Sequence, residues 1–461
     1  MEKIKREVPV IKNELYTITI HDLGTKAEGI GKVDDFTVFI EKALPGDIVE
    51  ALIVKVKKNF AFGKLINIIE PSPLRREPKC PVASKCGGCQ FQHLSYAGQL
   101  EYKRKKVQDV LQRIGKIGDV EVKPTIGMEN PYMYRNKAQF PVRKENGELK
   151  IGFFAPRSHR IIDTDTCDIQ HESNTEIIKI TRDFLTEQGT SIYDEKEHKG
   201  LVRHIVTKVG FHTHEIMVCI VINGKALPGS DELVKRLQVI ENVKSIVLNH
   251  NKERGNVILG KDITTLYGNS YIRDYIGDIE FEISPLSFFQ VNPIQTEVLY
   301  KKVMEFAQLT GEETVWDAYC GIGSISLFLA QKAKMVYGVE IVPEAIQDAK
   351  RNAVLNDIEN VEFIVGQAEA VIPYKFKEEG VQADVIVVDP PRKGCDESLL
   401  QTIVEMGPKR VVYVSCDPGT LARDLNYLTE HGFKVVEVQP VDMFPQTTHV
   451  ECVVLMSRVE K

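Results

Sequence analysis

The chain holds a single tryptophan, shows no surplus of basic residues, and contains no apolar run approaching the length of a membrane-spanning helix. The 59 Lys and Arg face 65 Asp and Glu, for a net charge of −6. A polyanionic partner must therefore be met by a local basic surface, not by the field of the whole protein. The opening stretch MEKIKREVPVIKNELY has no apolar core of signal-peptide type. Nothing later reads as a membrane span, so a cytoplasmic protein with no membrane partner is expected. Cysteine is not scarce. Nine in a chain of this cytosolic type argue for ligands or catalysis and against a disulfide framework. A length of 461 residues allows about two to four domains.

The N-terminal part alternates apolar and polar residues in short runs, YTITI, FTVFI, DIVEALIVKV and FGKLINII, separated by Gly-rich or Pro-Gly turns. That pattern predicts a small antiparallel β-barrel. In KVKKNFAFGK, Lys55, Lys57, Lys58 and Lys64 flank Phe60 and Phe62. Cations interleaved with aromatics suit a phosphate backbone and unstacked bases; a solvated strand with its aromatics turned into the core fits the spacing equally. The matching residues EGIGK, VFIEKALPGD and VKKNF resemble the TRAM domain, an RNA-binding barrel of OB-like type appended to RNA-modifying enzymes.

Cys80, Cys86 and Cys89 follow in one glycine-containing loop, KCPVASKCGGC. Three clustered thiols need a distant fourth to complete four-fold ligation, and Cys167 in DTDTCDIQH is the best candidate. The spacing points to zinc or to a four-iron cluster without separating them. His93 and His171 lie near enough to be considered, although such lone histidines are more often ordinary surface or core residues. Next, SYAGQLEYKRKKVQDVLQRIGK predicts an amphipathic helix with Lys103, Arg104, Lys105, Lys106 and Arg113 as a basic face, either solvated or extending an RNA track.

From about 120 to 280, runs such as KAQFPVR, LKIGFFA, VRHIVTKVG, EIMVCIVI, VKSIVLNHN and GNVILG predict the strands of an α+β substrate domain without repeats. Tyr134, Arg135, Asn136 and Lys137 are candidate RNA contacts, and Phe288, Phe289, Gln290 and Asn292 form a polar-aromatic loop before a helix starting near Pro293.

From Glu313 strands and helices alternate regularly, which predicts a parallel, doubly wound sheet. Gly321 and Gly323 let the backbone approach a ligand, and Glu340 at the end of the next strand can accept both hydroxyls of a ribose. The turn reads CGIGS and lacks the last glycine of the dinucleotide fingerprint. With Asp317 before it, the turn fits S-adenosylmethionine (SAM) better than NAD. Asp389 in DPPRKG ends the fourth strand, Cys416 in VVYVSCDPGTLARD ends the fifth, and Glu451 opens the last. Taken alone, Cys416 reads as a small buried hydrophobe. Placed beside Asp389 and Glu451 at the carboxyl edge of a sheet, before a helix start that favours a thiolate, it reads as a nucleophile.

FFQVN, DAYCGIGSISL, DPPRKG, VSCDPGTLARD, DMFPQTTHVE and the four-cysteine set closely resemble the RNA uracil-5 methyltransferases that use SAM (RumA/TrmA type). The resemblance runs over essentially the whole chain. It implies a multidomain α/β protein: a TRAM-like barrel over 1–72, an iron–sulfur loop and central α+β domain over 73–280, and a Rossmann-like SAM methyltransferase domain over 281–461. It also implies that Cys80, Cys86, Cys89 and Cys167 hold a 4Fe-4S cluster, that Cys416 is the nucleophile and that Glu451 is the base. Gln290, Tyr319, Gly321, Glu340, Gln367 and Asp389 match SAM-site positions, Phe288 matches a residue stacking on the target base, and Asp389 is an alternative contact to that base.

In such enzymes a thiolate adds to carbon 6 of uracil, which makes carbon 5 nucleophilic enough to take the methyl group. A base then removes the carbon-5 proton so that the cysteine can leave. The uridine must be flipped out of its stack. Many relatives have Asn where this chain has Asp417; a carboxylate there opposes the thiolate unless it points away or caps the helix. The transfer-RNA branch generally lacks the barrel and cysteine set and tends to carry Pro after the site Gln. This chain has both modules and Val291, which favours 23S ribosomal RNA as partner of a monomeric enzyme. The alternatives are a tRNA uracil-5 methyltransferase, an amino-group nucleic-acid methyltransferase (with an aromatic where Arg392 stands), and a non-catalytic RNA-binding protein.

Overall fold

The protein is described by a computed structural model covering residues 8–459. Strands β1 (Leu15–Leu23), β2 (Glu28–Val33), β3 (Phe36–Glu41), β4 (Ile48–Val56) and β5 (Phe60–Glu70) close into a barrel in the order β1-β2-β3-β5-β4, with β4 pairing back to β1. Alternation turns Ile18, Ile20, Val38, Ile40, Val49 and Ile53 inward. Closure depends on Gly31, where a Cβ would stand 2.2 Å from Ile18 Cγ2.

Helix α1 (Tyr96–Arg113) starts at Ser95, whose hydroxyl accepts from the Gly98 amide. Its Val107 and Leu111 are buried in the core of the C-terminal sheet, together with Val122 of the following segment. The expected basic face of α1 is therefore largely consumed within the protein. Lys103 is fully buried in an ion pair with Asp442 and donates to the Phe444 carbonyl at 3.0 Å. Lys106 donates to the Thr448 carbonyl at 2.9 Å, Lys105 pairs with Asp22 of the barrel at 2.5 Å, and Arg104 reaches the Val122 carbonyl at 2.9 Å. Sequence periodicity could not reveal this, because the helix lies between two units.

The central unit is built from β6 (Lys137–Glu145), β7 (Glu148–Phe154), β8 (Ile161–Asp163), α2 (Ser173–Glu187), β9 (Val202–Val209), β10 (Ile216–Ile222), α3 (Ser230–Leu237), β11 (Val243–His250) and β12 (Asp262–Gly268). Its sheet runs β12-β11-β10-β9-β6-β7-β8, with α2 and α3 contributing to one core. GNVILG, expected as a strand, is a loop, and the strand is the less apolar segment after it. Asn251 Nδ2 donates to the Val257 and Ile258 carbonyls at 2.7 and 2.9 Å, and Asn249 exchanges two bonds with Gly260. Those side chains take backbone groups that a ladder would need.

A hairpin of β13 (Ile272–Ile276) and β14 (Ile279–Ile283) leads to α4 (Pro293–Ala307), capped by the buried Asn292. There follow β15 (Thr314–Ala318), α5 (Ser324–Ala330), β16 (Met335–Glu340), α6 (Pro343–Leu355), β17 (Val361–Val365), α7 (Ala368–Lys377), β18 (Val385–Val388), α8 (Glu397–Met406), β19 (Arg410–Ser415), α9 (Pro418–Glu430), β20 (Phe433–Val441) and β21 (Glu451–Arg458). The sheet order is β17-β16-β15-β18-β19-β21-β20. The first five strands are parallel and β21 is antiparallel to both neighbours. Strand order reverses between β15 and β18, which opens a crevice at their carboxyl ends. Among the described residues no helix is long and apolar enough to cross a membrane.

Candidate active site

The turn after β15 lines that crevice. Tyr319, Gly321 and Gly323 all have positive φ, at 69°, 56° and 80°. The two glycines serve different ends. A Cβ on Gly321 would meet nothing within 4 Å, which leaves an open approach to the backbone, whereas one on Gly323 would stand 2.6 Å from Phe363. The Gly321 amide donates to Glu340 Oε2 at 3.2 Å and the Val342 amide to Oε1 at 3.0 Å, so the Glu340 carboxylate is fixed at the end of β16. Gln367 is exposed at the start of α7. Asp317 is fully buried; one oxygen accepts from Ser326 Oγ at 2.5 Å and the other has no partner. Burial, helped by Asp389 and Glu340, pushes its carboxyl up to about 7.

Across the crevice, Ser415 of β19 pairs with Cys452 of β21. Cys416 and Glu451 therefore lie beside each other, where one strand ends and its antiparallel neighbour begins. Asp389 directly follows β18, the next strand over. Burial, then Glu451 and Asp389, push the Cys416 thiol up to about 11 against the opposing pull of Arg392. These outweigh the helix start that was expected to lower it. Glu451 is held well above the usual carboxylate range by burial and by Asp389, and burial lifts Asp389 to about 6. Asp417 is taken up by α9: its Oδ1 accepts from the Gly419 and Thr420 amides at 2.8 and 3.2 Å. The exposed Arg392 is the cation that opposes the shifts of both Cys416 and Glu451. Burial that disfavours the charged forms of Asp317, Asp389, Cys416 and Glu451 together fits a cationic ligand, and the sulfonium of SAM is one.

Of the FFQVN residues, Phe289 is core, packed on Phe281 with centroids 5.7 Å apart, and Asn292 caps α4 while donating to the Met443 carbonyl at 3.0 Å. Phe288 is 69% exposed. Gln290 is half-buried, and its carbonyl accepts from Asn136 Nδ2 at 2.9 Å.

The segment from Asp442 to Glu451 is tied down by Gln446, Gln99 and Tyr96, which sequence reading missed, and by Tyr134, which it read as an RNA contact. Gln446, buried and at φ 68°, accepts the amides of Gln90 and Phe91 on its carbonyl at 2.9 and 3.0 Å. Its own amide and side chain exchange bonds with Gln99 of α1 at 2.9 and 3.0 Å. Tyr96 donates to Asp442, and Tyr134 to the Pro445 carbonyl, at 2.9 and 3.0 Å.

Cys80, Cys86, Cys89 and Cys167, each half-buried, line one cavity of about 340 Å³ together with Arg135, Lys137 and Val291. Among the described residues no three His, Cys, Asp or Glu side chains form a group that could hold a metal ion. Burial pushes the Cys89 thiol up to about 12 and the Cys167 thiol to about 11. Arg135 Nε is buried there without a partner. With Arg135 and Lys137 beside the four thiols, the lining suits an anionic group. His93 and His171 do not line the cavity, and His171 bonds Ser173 at 2.9 Å. Of the four expected RNA contacts at the entry to β6, Tyr134 and Asn136 are buried and Arg135 and Lys137 line the cysteine cavity.

On the barrel, Phe39, Phe60 and Phe62 form a half-exposed outer cluster with centroids 5.4, 5.6 and 5.9 Å apart, beside the exposed Lys55, Lys57, Lys58 and Lys64. The aromatics do not face the core.

A family profile described as tRNA (uracil-5-)-methyltransferase matches residues 95–459, and the TRAM domain profile matches 9–66. The chain is 56% identical to an "uncharacterized RNA methyltransferase" of Clostridium tetani, over 98% of each chain. It is 57% identical to one of Halalkalibacterium halodurans, over 98% of this chain and 99% of the other. Its structure is similar to that of the Pyrococcus abyssi tRNA (uracil-54, C5)-methyltransferase solved with S-adenosyl-L-homocysteine. The TM-score is 0.77 at 28% identity, covering 96% of this chain and 100% of the other.

Proposed function

Because the chain belongs to the tRNA (uracil-5-)-methyltransferase family and carries a TRAM domain, we propose that it methylates carbon 5 of a uridine in 23S ribosomal RNA through a covalent cysteine–uracil adduct. The observation that carries the reading is the pairing of β19 with β21, which sets Cys416 and Glu451 at adjacent strand ends. When bound, S-adenosylmethionine supplies the methyl group and a positive charge that favours the ionised forms of both residues. Gly321, Tyr319, Glu340, Gln290, Gln367 and Asp389 form its cradle. Cys416 adds to carbon 6 of the uracil. Glu451 takes the proton from carbon 5. The exposed ring of Phe288 offers a stacking surface to the flipped base, and the barrel's Phe39 cluster with its lysines holds flanking RNA.

The three units, read as 1–72, 73–280 and 281–461, divide RNA holding, substrate positioning and chemistry. Cys80, Cys86, Cys89 and Cys167 hold a 4Fe-4S cluster with a structural task, supported by their shared cavity and its two cations. Iron and sulfide analysis of anaerobically purified protein tests that assignment.

A second reading, a transfer-RNA uridine, is favoured by one observation. The archaeal tRNA enzyme covers 96% of this chain, so a barrel at the N-terminus does not by itself exclude tRNA. The deciding experiment offers unmodified 23S RNA and tRNA side by side with labelled SAM and maps the labelled nucleotide. Label on a 23S uridine is expected. Label on tRNA alone overturns the ribosomal reading, and label on an exocyclic amine overturns the uracil reading.

A further inference from the structure

Lys208 lies in β9 of the central sheet, apart from the methyl-transfer crevice, and its side chain is buried. Its ammonium donates to the carbonyls of Ser284 and Ser287 at 2.7 and 2.8 Å. These two residues are also tied to each other through the Ser287 amide and hydroxyl, at 3.1 and 3.0 Å. On the far side of the same loop, Asn136 donates through its side chain to the Gln290 carbonyl and through its amide to the Val291 carbonyl, at 2.9 and 2.8 Å. The Val209 amide bonds the Asn136 carbonyl at 2.8 Å, which links the two anchors. Phe289 is pinned in the core between them. Phe288 is left 69% exposed and Gln290 half-buried.

We propose that Lys208 is a positioning residue of the methyl-transfer reaction, clamping the Ser284–Val291 turn so that Phe288 and Gln290 enter the crevice in a fixed register. The inference rests on the roles given to Phe288 and Gln290 above. The void next to Lys208 is only about 10 Å³ and is lined by Asn136, Lys137 and Phe289, so the lysine does not bind substrate itself. No carboxylate lies within ion-pair distance of it among the described residues. Burial and the like charge of Lys137 push the ammonium down to about 7, only weakly opposed by Cys219 and Asp348. A methionine would fill the same space without that desolvation. Stability alone does not call for a cation here, whereas two converging carbonyls on a site loop do.

The test compares K208M, F288A and the double variant in the full-length enzyme, with labelled SAM and 5-fluorouridine RNA. For K208M the melting temperature is expected to equal or exceed that of wild type, while kcat/KM for RNA falls about 10- to 100-fold. Covalent trapping should slow in parallel and RNA affinity should hold, giving a kcat-weighted loss. The double variant should lose less than the product of the two single losses, because K208M acts in part through the ring that F288A removes. Wild-type kinetics in a folded K208M enzyme, or a loss that merely tracks the unfolded fraction, overturns the proposal. A fully active F288A instead overturns the role of Phe288 on which it rests.

Discussion

The sharpest consequence of the site's electrostatics concerns Cys416 in the free enzyme. Its thiol is pushed from 9.0 up to about 11, chiefly by burial and then by Glu451 and Asp389. At pH 8 an unperturbed thiol is roughly 10% ionised and one at 11 roughly 0.1%. Alkylation of Cys416 by iodoacetamide at pH 8 should therefore run about 100-fold slower than that of an exposed model thiol. Its rate should still be climbing at pH 10, because an acid with a raised pKa ionises only as pH approaches that value. The variants E451Q and D389N each remove a negative neighbour and should shift the profile to lower pH, E451Q by more; R392A removes the opposing cation and should shift it higher. SAM without RNA should lower the profile, and the neutral S-adenosylhomocysteine should do so less, since the two differ by one positive charge. Peptide mapping by mass spectrometry separates Cys416 from the other eight cysteines. A profile with its midpoint near 8 in the free enzyme, unmoved by E451Q, would refute this account of the site.

Three further outcomes are expected. In E451Q the adduct forms but carbon 5 keeps its proton, so turnover should drop about 10²- to 10⁴-fold. An SDS-stable RNA–protein band should appear on ordinary uridine and vanish in a second variant carrying C416A. K103M strands the Asp442 carboxylate in the core and should cost about 3–5 kcal/mol in urea unfolding, part of which D442N should restore. Replacing Phe60 and Phe62 by Ala should weaken RNA binding by about 1–3 kcal/mol per lost stacked base, at constant salt dependence, with the SAM affinity unchanged; intact RNA binding would remove the barrel's outer face from the interface.

How far the fold and site could be read from sequence depended on the range of the interactions involved. Strand alternation and glycine turns are local, and they located the barrel, the doubly wound sheet and the edge where Glu340, Asp389, Cys416 and Glu451 stand. Glu451 was expected on the same rim as Cys416, but the feature that puts the start of the last strand there, the antiparallel return of β21 between β19 and β20, was not visible. The loop at GNVILG was misjudged because side chains of Asn249 and Asn251, 11 and 6 positions from their partners, take its backbone groups, and apolar alternation does not register such bonds. The basic side of α1 looked like a surface because periodicity reports apolar faces and is silent about a lysine with a carboxylate waiting 339 positions away. The barrel aromatics could not be assigned to inside or outside from spacing, since period-two alternation is the same from either face.

The buried ties around the segment before Glu451 imply that the methyltransferase sheet does not by itself hold Glu451 in place. Glu451 opens β21, but the segment leading to it is not held by the sheet. It is held by Tyr96, Gln99, Lys103 and Lys106 of α1, by Tyr134, and by the Gln90 and Phe91 amides directly after Cys89. Gln446, the hub of these contacts, adopts a left-handed backbone conformation that costs a non-glycine residue about 1–3 kcal/mol and persists only where its surroundings over-determine it. The cysteine cavity also reaches the Phe288 loop, because Val291 lines it and directly follows Gln290. The Phe288 loop, through Val291, and the segment before Glu451, through Gln90 and Phe91, thus both end against the cysteine-lined region. A rigid filling of that cavity would brace the two together, and this gives the four thiols a mechanical reason to sit where they do without any electron transfer in the reaction.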